Sequence, residues 1–385
     1  MTDHQPQDHY DLAIVGAGII GLAHALAAVR IGKKVIVIDR DAVAKGASVR
    51  NFGFVTVSGQ QSGQSWQRAL RTRDIWADVA AEAGIRIAQS GSCIVARRPE
   101  AFQLLQAFAE TDMGRACEII TPDRLAETMP AIRSNNIRGA LWSPHELRVE
   151  SRDAIPQLAR WLAAVHGVSF LRSAEVRSVA PPLIETTRGQ VRADKAVICC
   201  GDDLQTLFPE RLAAYDLVPC RLQMMRVMPG LPMPLLPASL MSDLSLVRQP
   251  GFASLAGAKA LSDRLKEEQA RYLQHGIHLV AVQSVDGSLV VGDSHHYGGA
   301  PNPTAPSEIE GLILDELDAV LDLGQRRVTE RWVGTYATAS DRPMLVDRPS
   351  ADIRIVIVTS GSGASTGFAI GEEMISEMFG DQCAA

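Results

Sequence analysis

Apolar and polar positions alternate along the chain in blocks, and the blocks predict its elements. Leu12-Ala13-Ile14-Val15 is an apolar run of strand type that stops at glycine. A helix-type run follows from Ile19 to Arg30, and Val35-Ile36-Val37-Ile38 is a second apolar run that closes on Asp39. Ser65 to Ala83 sets Trp66, Leu70, Ile75, Trp76 and Val79 on one side of a helix that Gly84 stops. Cys93–Ala96 reads as a short strand, Ala101–Glu110 as a helix, Thr121–Arg124 as a helix start and Ile137–Trp142 as a strand. Pro144–Ser151 is polar and predicts a loop, with Ser151 as N-cap of a helix over Arg152–His166. Val168–Ala180 holds two short strands, and Ala193–Gly201 is a buried strand ending in glycine, like the first.

The middle of the chain reads differently. Val218–Met228 alternates, Pro229–Pro237 is a proline-dense loop, and Ser245–Arg248, His278–Gln283 and Ser288–Gly292 are strand candidates. Together they predict a largely antiparallel sheet in a second domain. An amphipathic helix over Ser307–Leu321 buries Ile309, Leu312, Ile313, Leu317 and Val320. The chain closes with the strand Ile353–Val358, the glycine-rich turn Thr359–Gly367 and a helix through Met378.

Between the first strand and helix stands Gly16-Ala17-Gly18-Ile19-Ile20-Gly21. Gly16 allows a tight turn, Gly18 lets backbone approach a pyrophosphate, and Gly21 lets the helix pack on the strand. The helix N-terminus offers N–H groups to phosphates, and Asp39 would accept from ribose hydroxyls. The loop Lys45–Gly53 follows on the ligand side and reads as a further cofactor contact or as a surface connection. The second strand–glycine–helix unit, at the other chain end, argues for a long enclosed dinucleotide, FAD over NAD. An NAD-dependent dehydrogenase shares the opening motif without explaining that second unit; a flavin-binding protein without enzymatic activity is the other reading.

Composition narrows the class. The chain has 385 residues, enough for two domains, with 46% hydrophobic and 21% charged residues. No apolar run reaches the roughly 18 residues of a membrane span, and Met1–Tyr10 lacks a signal-peptide core, so a cytoplasmic protein is expected. The formal charge of −6 gives nucleic-acid binding no support, and an anionic substrate would need a local basic pocket. Cys93, Cys117, Cys199, Cys200, Cys220 and Cys383 form no Cys-x-x-Cys pair and read as buried free thiols. His275-Gly276-Ile277-His278 and His295-His296 lack supporting carboxylates or thiols, so no metal is expected.

The opening motif, Ala193–Gly201, Trp332-Val333-Gly334, Ser340-Asp341-Arg342-Pro343 and Gly361–Gly367, in that order, resemble the D-amino acid oxidase and glycine/sarcosine oxidase family of flavoproteins. Ser48-Val49-Arg50-Asn51-Phe52-Gly53, Leu141-Trp142-Ser143-Pro144 with Glu146-Leu147-Arg148-Val149, and Val291-Gly292-Asp293-Ser294-His295 are similar to its clade linked to aminoethylphosphonate degradation.

The resemblance implies an α/β fold: a Rossmann-type FAD-binding domain, and a substrate domain with a mostly antiparallel sheet plus helices. The domains would be discontinuous, with FAD on 1–85, 140–215 and 326–385 and substrate on 86–139 and 216–325. It also implies hydride transfer from the amine-bearing carbon to flavin, an imine that hydrolyses to an aldehyde, and hydrogen peroxide from reoxidation by O2 unless another acceptor serves. The implied cofactor contacts are Gly16, Gly18, Ile19, Ile20, Gly21, Asp39, Arg40, Ser48, Asn51, Phe52, Gly53, Val176, Gly201, Gly361, Gly363, Ala364, Ser365 and Thr366. The implied contacts to a small anionic amine are Arg50, Asn51, Arg148, His295 and Tyr336.

Three points of the family pattern bear on chemistry. Asp39 stands where the family commonly has Glu. No cysteine occurs in Val333-Gly334-Thr335-Tyr336, where some sarcosine oxidases attach FAD, so non-covalent FAD is expected. Tyr336 falls where glycine and D-amino acid oxidases usually place a carboxylate-clamping arginine. The implied substrate is therefore an aminophosphonate, 2-aminoethylphosphonate or an N-alkyl derivative. The alternative is an amino carboxylate, as in sarcosine/glycine-type or D-amino acid oxidases.

Overall fold

The computed structural model describes residues 9–298 and 306–380. Its first sheet grows from the apolar runs. The strand His9–Val15 lies between Gly189–Ile198 and Val35–Asp39, parallel to both. Ser169–Arg172 adds parallel to Val35–Asp39, and Ile353–Val358 parallel to Gly189–Ile198. The antiparallel strand Met344–Ser350 pairs with Ile353–Val358. The central strands are unbroken apolar runs because a parallel sheet is covered on both faces. Ile14, Val37, Val197 and Val356 point to a helical layer, and Ala13, Ile36, Ile198 and Ile355 to the other face.

That helical layer joins the two chain ends. The helices Ile19–Arg30 and Gly363–Phe379 cross so closely that a Cβ at Gly371 would lie 2.8 Å from the Ala23 backbone. The helix Gln64–Ala83 packs beside them, with Trp76 edge-on to Phe368 at 5.1 Å and its Nε1 donating to the Ala364 carbonyl. The C-terminal ends of four parallel strands, at Val15, Asp39, Ile198 and Val358, therefore face one cleft between glycine turns.

The second sheet is mixed. Val218–Met228 pairs antiparallel with Leu289–Gly292 and Arg327–Thr338, and Ile87–Ala96 pairs antiparallel with Gly139–Val149. Ser239–Met241 runs parallel to Ile87–Ala96 and antiparallel to Val280–Gln283, so it joins the two halves.

Several expectations change here. Pro144–Val149 is strand, not loop. Its polar side chains are satisfied inside: the Glu146 carboxylate accepts from the Ser58 amide at 2.8 Å and hydroxyl at 2.5 Å, while Arg148 is fully buried. Polarity thus concealed an interior strand. Ser245–Arg248 is no strand; Asp243–Val247 forms a 3₁₀ turn, anchored where the buried Asp243 carboxylate accepts from Arg98 at 2.9 Å. The boundaries expected at 140 and 326 run across sheet partners, since Gly139–Val149 and Arg327–Thr338 both pair in the second sheet.

Candidate active site

The cleft between the sheets has a volume of about 710 Å³ and runs from the first glycine turn to the second sheet. At one end, Gly16 takes φ +104°, and a Cβ there would lie 2.4 Å from the Cys199 carbonyl. A Cβ on Gly21 would lie 1.9 Å from the Gly16 carbonyl. Both spaces exist only for glycine. Gly18 caps the helix in extended conformation, and a Cβ there would sit 2.9 Å from Ser48 Oγ. Ser48 Oγ accepts from the Ile19 amide at 2.9 Å, which places its hydroxyl at the positive helix end. The Asp39 carboxylate is held by the Ala17 amide at 2.6 Å and the Asp41 amide at 2.8 Å.

The second unit closes the opposite wall. Gly361 has φ +71°, and a Cβ there would meet the Tyr336 ring at 3.1 Å. The helix Gly363–Phe379 opens toward the cleft, and Ser365 Oγ accepts from the Thr56 amide at 2.9 Å. Two helix N-termini, glycine-only backbone and an acid at the end of the second strand together fit a dinucleotide cradle.

Of the expected cofactor contacts, Gly16, Gly18, Ile19, Ile20, Gly21, Asp39, Arg40, Ser48, Asn51, Phe52, Val176, Gly201, Gly361, Gly363, Ala364 and Ser365 line the cleft. Gly53 and Thr366 do not. A Cβ at Gly53 would lie 1.8 Å from the Val149 carbonyl, so its place is the seam between loop and strand. Thr366 is buried in its helix, with Oγ1 donating to the Ser362 carbonyl.

Of the expected substrate contacts, Arg50, Asn51, His295 and Tyr336 line the cleft. Arg148 does not: it donates to Glu150 at 2.8 Å, to Ser284 Oγ at 3.2 Å and to the Phe52 carbonyl at 3.2 Å, within the protein. Asn51 spends its amide on the Ala47 carbonyl, the Gly53 amide and the Ser151 hydroxyl, which shapes the loop. Burial, opposed by Asp293, pushes the His295 pKa down to about 3, so its ring is neutral and supplies no cation. Burial pushes the Tyr336 phenol up, so it stays protonated and can donate.

Sequence reasoning missed Arg248, His278, Asp293 and Tyr297, which also line the cleft. The sequence carried no signal for His278 and Asp293. Continuing the Val280–Gly292 register would put Leu279 opposite Asp293; instead two backbone hydrogen bonds join His278 to Asp293, one residue out of step, and His278 Nε2 lies 2.9 Å from Asp293 Oδ1. The donor atoms of His278, Asp293 and His295 converge within 4.8 Å, so the histidines do have a carboxylate beside them. Arg248 lay in a segment read as strand and carried no signal.

The model of the FAD dependent oxidoreductase family matches residues 11–377, nearly the whole chain, so the chain belongs to that family of flavoenzymes and its cofactor is FAD. A glycine oxidase from Geobacillus kaustophilus (strain HTA426) is 25% identical over 206 residues, 50% of this chain and 54% of that protein. The mitochondrial pyruvate dehydrogenase phosphatase regulatory subunit of Mus musculus is 24% identical over 200 residues, 49% of this chain and 23% of that protein. The matched stretch thus spans about a quarter to about half the length of these curated relatives. The crystal structure of glycine oxidase from Bacillus cereus ATCC 14579 superposes with a TM-score of 0.75 at 18% identity, covering 97% of this chain and 96% of that one. Among the described residues, no helix is long and apolar enough to cross a membrane.

Proposed function

We propose that this flavoenzyme oxidises the C–N bond of an aminophosphonate, 2-aminoethylphosphonate or an N-alkyl derivative, to an aldehyde and an amine. The observation that carries the reading is the wall beside Gly361. There the strand Arg327–Thr338 presents a neutral, half-buried Tyr336, and a phenol cannot clamp an α-carboxylate as guanidinium does. An anion displaced by one carbon from the oxidised position suits cations on other elements.

When bound, FAD supplies hydride acceptance from the amine-bearing carbon, and O2 or another acceptor then takes the electrons. The protein holds the substrate for that step. Gly16, Gly18, Gly21, Ser48 and Asp39 would hold the adenosine and pyrophosphate half, and Gly361–Ser365 the other wall. Tyr336 donates one hydrogen bond to the substrate. His295 Nδ1 lies 3.1 Å from the Gly276 carbonyl; donating there, it leaves Nε2 as an acceptor for the amine N–H, while desolvation in the cleft favours the neutral amine that hydride release requires. Arg50 stands exposed at the rim, its Nη1 on the Val333 carbonyl at 3.4 Å.

The likeness to glycine oxidases supports a second reading, an amino carboxylate as substrate. A substrate panel separates the two. Hydrogen peroxide and flavin bleaching are followed together for 2-aminoethylphosphonate, its N-methyl form, glycine, sarcosine and D-alanine. The aminophosphonates should show the higher kcat/KM. A higher value for any of the three carboxylates replaces this reading with the sarcosine type.

A further inference from the structure

We infer that Arg248, seconded by the Tyr297 phenol, is the subsite that binds the anionic group of the substrate. The inference rests on the amine-oxidase reading above but not on which anion the substrate carries.

The charges of the cleft lead to it. Arg40 is paired with Asp203 at 2.6 Å, Lys45 with Asp41 at 2.7 Å, and Arg342 with Asp341. Arg50 is exposed and leans along the outer strand backbone. Arg148 is sealed in the second sheet and His295 is neutral. Arg248 is different: it is half-buried and lines the cleft, and no carboxylate lies within ion-pair distance of it among the described residues. Its guanidinium hydrogen bond is Nη2 to the Tyr297 hydroxyl at 3.0 Å. Of five N–H donors, the rest remain for a ligand.

The surroundings hold this cation in place. Gly276 takes φ +58°, and a Cβ there would lie 3.1 Å from Arg248 Nη1 and 3.0 Å from His295 Cβ. The missing side chain lets the guanidinium lie beside His295, the proposed acceptor for the amine. The nearby anion, Asp293, has its carboxylate turned to His278 at 2.9 Å and His295 at 3.6 Å. A partly desolvated guanidinium without a contact counter-ion is costly, and an oxyanion that turns two oxygens to the fork satisfies it with two parallel hydrogen bonds. Planar carboxylate and tetrahedral phosphonate can both do so. The pocket wall would then read both ends of one small molecule: the anion at Arg248 and Tyr297, the nitrogen at His295 and Tyr336.

The test uses the flavin-loaded enzyme and two kinds of molecule. Arg248→Met should lower kcat/KM for the best anionic amine by about thirtyfold, chiefly through KM. Propylamine, which lacks the anion, should change by less than about threefold. Propylphosphonate, which lacks the amine and cannot be oxidised, should bind more weakly by a factor similar to the first, read by calorimetry and by the flavin absorbance change. Arg248→Lys should recover part of the loss, since it keeps the charge without the fork. Unchanged binding and turnover of anions in Arg248→Met overturns the assignment, as does an equal loss for propylamine. If Arg248→Met does not fold, Arg248→Lys is read in the same way: an anion-selective loss supports the subsite, and parent-like values refute it. If carboxylates outrun aminophosphonates in the parent enzyme, the phosphonate reading has failed. Arg248 is then judged on the best carboxylate with propionate as the inert anion.

Discussion

Arg148 has none of its surface exposed, yet it carries a full charge inside the second sheet. Its partner Glu150 would be pushed up by burial, but Arg148 and Ser284 hold its carboxyl below the usual range. Guanidinium, carboxylate and serine hydroxyl thus bond to one another, with Arg226 as a second, more distant cation at 3.8 Å from Glu150. Arg148→Ala should leave Glu150 without its nearest cation and destabilise the fold by about 3–5 kcal/mol, the typical cost of breaking a buried pair from one side. Chemical denaturation should show that loss, while KM of the folded fraction stays within about twofold of the parent. A large KM change at parent stability would return Arg148 to the substrate site. The sequence could not separate this residue from Arg50 or Arg248, because a cation has the same letter whether it faces a ligand, a carboxylate or water.

At the scale of elements, the opening turn shows how tightly one strand, one helix and one loop are joined. Ser48 comes from the loop after the second strand and sits on the Ile19 amide, directly beside Gly18. A side chain at Gly18 would push Ser48 off the helix end and fill the space meant for pyrophosphate. Gly18→Val should therefore yield a folded but colourless protein, with flavin absorbance below about a tenth of the parent's at equal protein concentration. A yellow Gly18→Val protein would remove the cradle assigned to this turn. The helices Ile19–Arg30 and Gly363–Phe379 and the strands between them were legible because runs of Val, Ile and Leu bounded by glycine have few alternative structures. The second half of Gly139–Val149, from Pro144, was not legible, because Glu146 and Arg148 are satisfied by partners far away in sequence.

The whole molecule draws its two chain ends onto one cleft, and that bears on how the flavin is held. Cys199 and Cys200 line the cleft beside the first glycine turn, but burial pushes both thiols up, Cys200 to about 12. Cys220 is buried next to Tyr336 in the strand register. Burial raises its thiol too, so none of the three is poised as a thiolate. We therefore expect FAD to be bound without a covalent link. Acid precipitation should release the yellow colour into the supernatant; colour kept in the pellet would mean a covalent flavin.

By itself, the sequence determined the nucleotide-binding half: the apolar strands, both glycine turns and Asp39 are local patterns whose chemistry follows from spacing. It also carried the absence of a thiol in Val333–Tyr336 and the tyrosine at 336. Only the tertiary structure decided which cations face the cleft. Arg148 was withdrawn into a sheet, His295 was neutralised by burial beside Asp293, and Arg248 was brought in on a 3₁₀ turn with its guanidinium on Tyr297. Protonation and exposure depend on neighbours contributed by distant segments, and those neighbours exist only once both sheets have closed around the cleft.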